Sequence, residues 1–193
     1  MIARSDMVGR MALHNQTIKL CDEFLKLNNE AGYQLQVTAA LEVGPGARAH
    51  MLHREEDAFT FFSLPRRNLI VASMWAIADF RADNGATLVV PGSPTWAAER
   101  LAEPSAVIAA EMPASSVLIW LGGTVLGAGP NTSPDWRYGV ILTYSLGWWR
   151  QEENQYLDVS PKVARRLFSP LRELIGDKMH QALGYPVSRE NGG

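Results

Sequence analysis

The chain has 193 residues, with 18 Lys and Arg against 20 Asp and Glu, a net charge of -2 and 47% apolar residues. Length and composition predict one soluble globular domain, and the near-zero charge removes the electrostatic reason to expect nucleic acid or an anionic membrane as partner. A lone cysteine, Cys21, argues against a secreted disulfide scaffold; with no signal-peptide pattern in the first twenty residues, a cytoplasmic location is expected.

In chain order, Met7, Met11, Ile18, Cys21 and Leu25 recur at helical spacing, which predicts one amphipathic helix over 7–27. From Tyr33 to Val43 apolar and polar residues alternate, the period of a half-buried strand, stopped by Gly44-Pro45-Gly46. Further strands are predicted over 69–80, 86–90, 106–110, 116–121 and 138–148. Between them Asn84-Gly85, Pro91-Gly92-Ser93, Pro113 and the stretch 127–134 read as turns and loops. Strands at this spacing without intervening helices argue for an antiparallel sandwich or barrel. Leu171, Leu174, Ile175, Met179 and Leu183 then predict a closing helix, ended by Gly184 and Pro186. The expected organisation is a single domain, 1–193, with an N-terminal helix (1–32), a β core (33–150) and a helical tail (151–193).

Imidazoles and carboxylates cluster in one place, from His50 to Asp57. On a strand, residues two apart share a face, so His53 and Glu55 can present a nitrogen and an oxygen to one metal ion. A bare His-x-Glu is common by chance, and taken alone it reads as a solvated strand end before a metal site. His50, three residues away, is predicted to face the other side.

With its surroundings this segment resembles the phytanoyl-CoA dioxygenase family, in particular the branch of terpenoid and other secondary-metabolite pathways. The resemblance rests on pieces in order: Pro45-Gly46, Leu52-His53-Arg54-Glu55, Trp75-Ala76-Ile77-Ala78-Asp79, Asn84-Gly85-Ala86 and Val90-Pro91-Gly92-Ser93. Gly127-Ala128-Gly129-Pro130-Asn131, Arg137-Tyr138-Gly139, Gly147-Trp148-Trp149-Arg150 and Glu153 to Leu157 follow. It implies a mainly β fold with flanking helices, the double-stranded β-helix (a jelly-roll or cupin-like barrel). It also implies non-haem Fe(II) held by two histidines and a carboxylate, with 2-oxoglutarate as co-substrate.

His53 matches the family's first histidine ligand, and Glu55 stands where the family has Asp. Leu126 stands where the second histidine belongs, directly ahead of Gly127. Arg137 matches the arginine that pairs with 2-oxoglutarate, and His50 replaces a glutamine that helps hold it. Pro94 replaces a histidine that commonly follows Pro-Gly-Ser. Trp75 and Asn84 belong to the matching motifs and are further candidate site residues.

The resemblance thus implies a non-catalytic accessory subunit that lacks a competent iron centre and is inactive alone. It would pair as a heterodimer with a catalytic relative, or as a homodimer, and no cofactor is expected in isolation. The family's members are generally longer, so an apolar sheet face is expected to need a partner's cover. The six tryptophans, Trp75, Trp96, Trp120, Trp136, Trp148 and Trp149, are expected mostly in the core. A first alternative is an active Fe(II)/2-oxoglutarate dioxygenase of a small apolar, terpenoid-like substrate, with Asp57 or His50 as a substitute ligand from a bulged strand. A second is a metal-free ligand-binding protein or isomerase using Glu55, Glu56, Asp57 or Arg137 as acid-base groups.

Overall fold

In the computed structural model the described residues are 1–26, 31–59 and 68–179. They form seven strands in two sheets: β1 (Tyr33–Val43), β2 (Ile70–Ala76), β3 (Thr87–Val90), β4 (Ile108–Ala109), β5 (Val117–Leu121), β6 (Val125–Ala128) and β7 (Arg137–Leu146). The larger sheet runs β1-β7-β2-β5 and the smaller β4-β3-β6, with all recorded pairings antiparallel. The mainly β architecture with flanking helices is therefore as expected.

Position in the larger sheet explains how each strand reads in sequence. β7 and β2 are central and buried along most of their length, so they read as near-continuous apolar runs. β1 lies at an edge, and its outer half, Ala40 to Glu42, is exposed. A register shift between Leu35 and Val37 leaves Gln36 buried, where its Oε1 accepts from the Ser145 hydroxyl at 2.8 Å. The bulge turns an interior polar side chain toward a partner instead of leaving it orphaned.

One face of this sheet carries Leu35, Val71, Leu142 and Tyr144, each 0% exposed, and packs under the N-terminal helices. The expected single helix over 7–27 is instead two seven-residue helices, α1 (Asp6–Ala12) and α2 (Asn15–Cys21), continued by a π-helical turn, Asp22–Lys26. His14 is extended (φ -62°, ψ 131°) and sets its ring edge-on to Trp75 at 5.1 Å. Tyr144 donates its hydroxyl to the Ala12 carbonyl at 2.9 Å, satisfying an orphan acceptor at the end of α1. Tertiary contacts override the local periodicity at this break.

Two further departures concern glycines. The stretch from Gly127 read as a loop, yet Gly127 and Ala128 belong to β6. A Cβ on Gly127 would lie 3.1 Å from the His50 carbonyl, so glycine here permits close backbone approach. The closing helix is also shorter than expected: α3 (Gln155–Asp158), α4 (Pro161–Ala164) and α5 (Ser169–Leu174) replace it, and Gly176 at φ 89° stops α5. The positions expected to end it, Leu183, Gly184 and Pro186, lie outside the described residues.

The tryptophans divide: Trp120 is buried at 6% exposure and Trp75 and Trp149 pack against the core, whereas Trp136 and Trp148 are 49% and 47% exposed. Trp136 stacks on Tyr138 with an interplanar angle of 11°, forming an exposed aromatic pair at the start of β7.

Candidate functional site

His53 lies at the margin of the smaller sheet, bound to β6 through a reciprocal bridge. The His53 N–H donates to the Leu126 carbonyl and the Leu126 N–H donates to the His53 carbonyl, both at 2.9 Å. Residues so opposed in an antiparallel pair have side chains on one face with Cβ atoms roughly 5 Å apart. The position proposed from sequence for the second histidine therefore does lie beside His53, and it holds a leucine that is 6% exposed and part of the core.

The His53 ring is oriented by its own chain. Nδ1 sits 3.0 Å from the Met51 carbonyl. A carbonyl only accepts, so Nδ1 is the donor in this contact, which leaves Nε2 as the ring nitrogen a metal would take.

His50 is not on the opposite side, as a regular strand would have it. Its N–H pairs with the Ala128 carbonyl at 2.9 Å, so three steps from His50 to His53 oppose two steps from Ala128 to Leu126. The extra residue is a β-bulge, and it brings the two imidazole centroids to 6.4 Å.

The three carboxylates that follow separate in role. Glu55 opens a 3₁₀ turn, Glu55–Ala58, and burial is the main cause pushing its carboxyl above the ordinary value. Nearby His53 opposes that rise and Glu152 adds to it, which places all three groups in one electrostatic neighbourhood. Glu152 was not a candidate from sequence, and nothing in its local pattern marks it.

Glu56, 3% exposed, accepts from the Leu69 and Ile70 N–H groups at 2.8 and 3.2 Å. Its own N–H donates to the Gly122 carbonyl at 3.3 Å, so this carboxylate fastens the turn to β2. Asp57 accepts from the Arg54 N–H at 2.9 Å and caps the turn. Both are engaged in holding the backbone, which weakens the sequence reading of either as an acid-base group or spare ligand.

Arg137, at the start of β7, is 2% exposed. Nε and Nη2 donate to the Gly85 carbonyl at 3.0 and 2.9 Å, and the guanidinium lies 4.5 Å above the Phe80 ring. Burial lowers its pKa, and Nη1 has no partner among the described residues. A buried cation with a free N–H is a donor of the kind a carboxylate takes.

Asn84 is 1% exposed and structural: its side chain accepts from the Arg81 N–H at 2.7 Å and donates to the Asp79 carbonyl at 2.8 Å. Trp75 faces the N-terminal helices, the opposite face of the sheet from Arg137 by strand alternation.

An iron centre of the two-histidine, one-carboxylate kind needs three donors on one face. Here His53 and Glu55 supply two and Leu126 has no lone pair to give. Among the described residues no three of His, Cys, Asp and Glu converge on one metal position. The residues present do not fit the complete iron site, whereas Arg137 retains a donor suited to a co-substrate carboxylate.

The described structure is thus two antiparallel sheets with a His-x-Glu pair at the margin of the smaller one. Comparison with known proteins narrows this: the family model of phytanoyl-CoA dioxygenase (PhyH) matches residues 2–139, and the chain belongs to that family. It is 30% identical over 168 residues to the dioxygenase olcK of Penicillium canescens, covering 85% of this chain and 55% of the relative. With the dioxygenase swnH2 of Arthroderma benhamiae it shares 29% identity, covering 92% of this chain and 62% of the relative. The chain thus spans little more than half the length of these curated relatives.

Among solved structures, the epimerase SnoN in complex with Fe3+, alpha ketoglutarate and nogalamycin RO superposes with a TM-score of 0.58 at 18% identity, over 81% of this chain and 66% of SnoN. The non-heme monooxygenase ThoJ, in its apo form, gives 0.57 at 14% identity, over 71% and 54%. These likenesses support the fold.

Proposed function

We propose that this chain is a non-catalytic, accessory member of its family, working in secondary-metabolite biosynthesis beside a catalytic Fe(II)/2-oxoglutarate relative. In this reading its two sheets are those of the double-stranded β-helix. One observation carries the proposal: Leu126 is bridged directly opposite His53, so the position able to complete the metal set is an alkyl group. Loss of an imidazole there removes a neutral nitrogen donor that no described neighbour replaces. Arg137 and the oriented His53 ring are what remains of a fuller site.

The test has two arms. Anaerobic Fe(II) titration of the isolated chain is expected to show no stoichiometric binding, and co-expression with a full-triad relative is expected to raise that relative's turnover. Stoichiometric iron together with 2-oxoglutarate turnover by the chain alone overturns the reading. A fully active relative with no affinity for this chain also overturns it.

A second reading has one observation in its favour. The β-bulge brings the His50 ring within 6.4 Å of His53, so an active dioxygenase would take His50 as its second nitrogen ligand. Iron binding lost equally in His50→Ala and His53→Ala would establish it.

A further inference from the structure

Four glutamines are buried among the described residues, and three of them have side-chain partners. Gln36 accepts from the Ser145 hydroxyl at 2.8 Å, Gln151 donates to the Leu35 and Ile175 carbonyls at 2.8 and 3.2 Å, and Gln34 donates to the Trp149 carbonyl. Gln155 differs. It is the first residue of α3 and 1% exposed, and neither its Nε2 nor its Oε1 has a hydrogen-bond partner among the described residues. Its backbone carbonyl is satisfied by the Val159 N–H at 2.8 Å. Buried polar atoms are nearly always paired because leaving them unpaired is costly, so an amide orphaned at both ends points to a ligand that pairs it.

Gln155 lines a cleft of about 310 Å³ among α3, α4 and α5. Beside it Val159, Ala164 and Ile175, all buried, supply apolar walls. Arg172 and Asp177 also line the cleft and neutralise each other at 2.7 Å, and Arg165 is the remaining charged residue there. One neutral donor and one neutral acceptor thus sit on a single planar group among apolar side chains. A ligand that answers both presents a carbonyl and an N–H side by side, as the cis-amide of a lactam does. A carboxylate answers Nε2 alone and sets its charge against Oε1.

We infer that this cleft binds a small lactam, or another cis-amide on an apolar ring, through a pair of hydrogen bonds to Gln155. Nε2 donates to the ligand carbonyl, Oε1 accepts from the ligand N–H, and the ring packs on Val159, Ala164 and Ile175. The site is separate from the His53 region and stands whether or not that region holds iron.

Titration of the isotope-labelled chain with ε-caprolactam, followed by amide NMR, tests it. Saturable shifts are expected at Val159, Ala164 and Ile175. N-methylcaprolactam, which lacks the donor, should bind the wild-type chain about tenfold more weakly. Gln155→Met keeps a similar side-chain volume and removes both polar atoms. It should weaken caprolactam binding by a similar factor while the thermal midpoint stays the same or rises. Absence of saturable shifts overturns the inference, as does caprolactam binding that is indifferent to N-methylation or to Gln155→Met. So does tighter binding of cyclohexanecarboxylate than of caprolactam.

Discussion

Leu126 and His53 are joined by two backbone hydrogen bonds, so the position where the sequence comparison puts the second histidine is in register with His53. Leu126→His is expected to bind Fe(II) at least about tenfold more tightly than the wild type, and His53→Ala in that background to abolish the gain. The substitution buries an imidazole in place of an alkyl group that is 6% exposed, at a cost of about 2 kcal/mol in stability. An anaerobic titration followed by metal analysis reads the first effect, and urea denaturation the second.

Glu55 supplies a pH dependence. Its carboxyl binds a proton more readily in the folded than in the unfolded chain, because burial outweighs the attraction of His53. In acid, below the unfolded-state value, both states are protonated and nothing is lost. As pH rises through the raised folded-state value, the carboxylate must ionise in a poorly solvated place and stability falls. Glu55→Gln should therefore raise the thermal midpoint at pH 7.5, and the difference from wild type should shrink toward zero near pH 3. A difference independent of pH would show that the gain does not come from the charge.

Among elements, the 3₁₀ turn beneath His53 depends on Glu56. The carboxylate satisfies the Leu69 and Ile70 N–H groups at the entrance to β2, in a place that is 3% exposed. Removing it strands two buried donors, so Glu56→Ala is expected to destabilise the chain by about 3 kcal/mol in urea denaturation. The Arg137 anchor depends in the same way on Gly85, whose φ of 88° and carbonyl orientation serve the guanidinium. A Cβ there would lie 2.7 Å from Val43 Cγ1, so Gly85→Ala is expected to cost about 2 kcal/mol.

Legibility varied by element for a physical reason. β1 could be read to its bounds because its sequence alternates apolar and polar residues from Tyr33 to Val43 and a Gly-Pro-Gly turn follows at once, even though its burial does not alternate. β6 could not, because its glycine serves close approach to the His50 segment and carries no strand signal of its own. The N-terminal helix was read through its break, since the turn at His14 is held by Trp75 and Tyr144, both distant in sequence.

At the scale of the whole molecule, Trp136 and Trp148 are about half exposed, while Trp120 is buried and Trp75 and Trp149 pack against the core. Exposed aromatic area of this kind is enriched at protein interfaces. Pairing with a full-triad relative through the stacked Trp136 and Tyr138 rings should be lost in Trp136→Ser while the chain stays folded. Size-exclusion chromatography of the co-expressed pair reads the outcome. Among the described residues no helix is long and apolar enough to cross a membrane.

The sequence by itself determined the β-rich class, the strand over 33–43, the His53-x-Glu55 pair and the absence of an imidazole at position 126, because each is a local pattern or a residue identity. Tertiary structure alone decided the rest. It set Leu126 opposite His53, raised the Glu55 carboxyl by burial beside Glu152, and brought His50 round through a bulge. It also gave Glu56 to the backbone of β2 and left Arg137 with a free N–H. Register, burial and long-range hydrogen bonds fix these features, and they exist only once strands distant in the chain have paired.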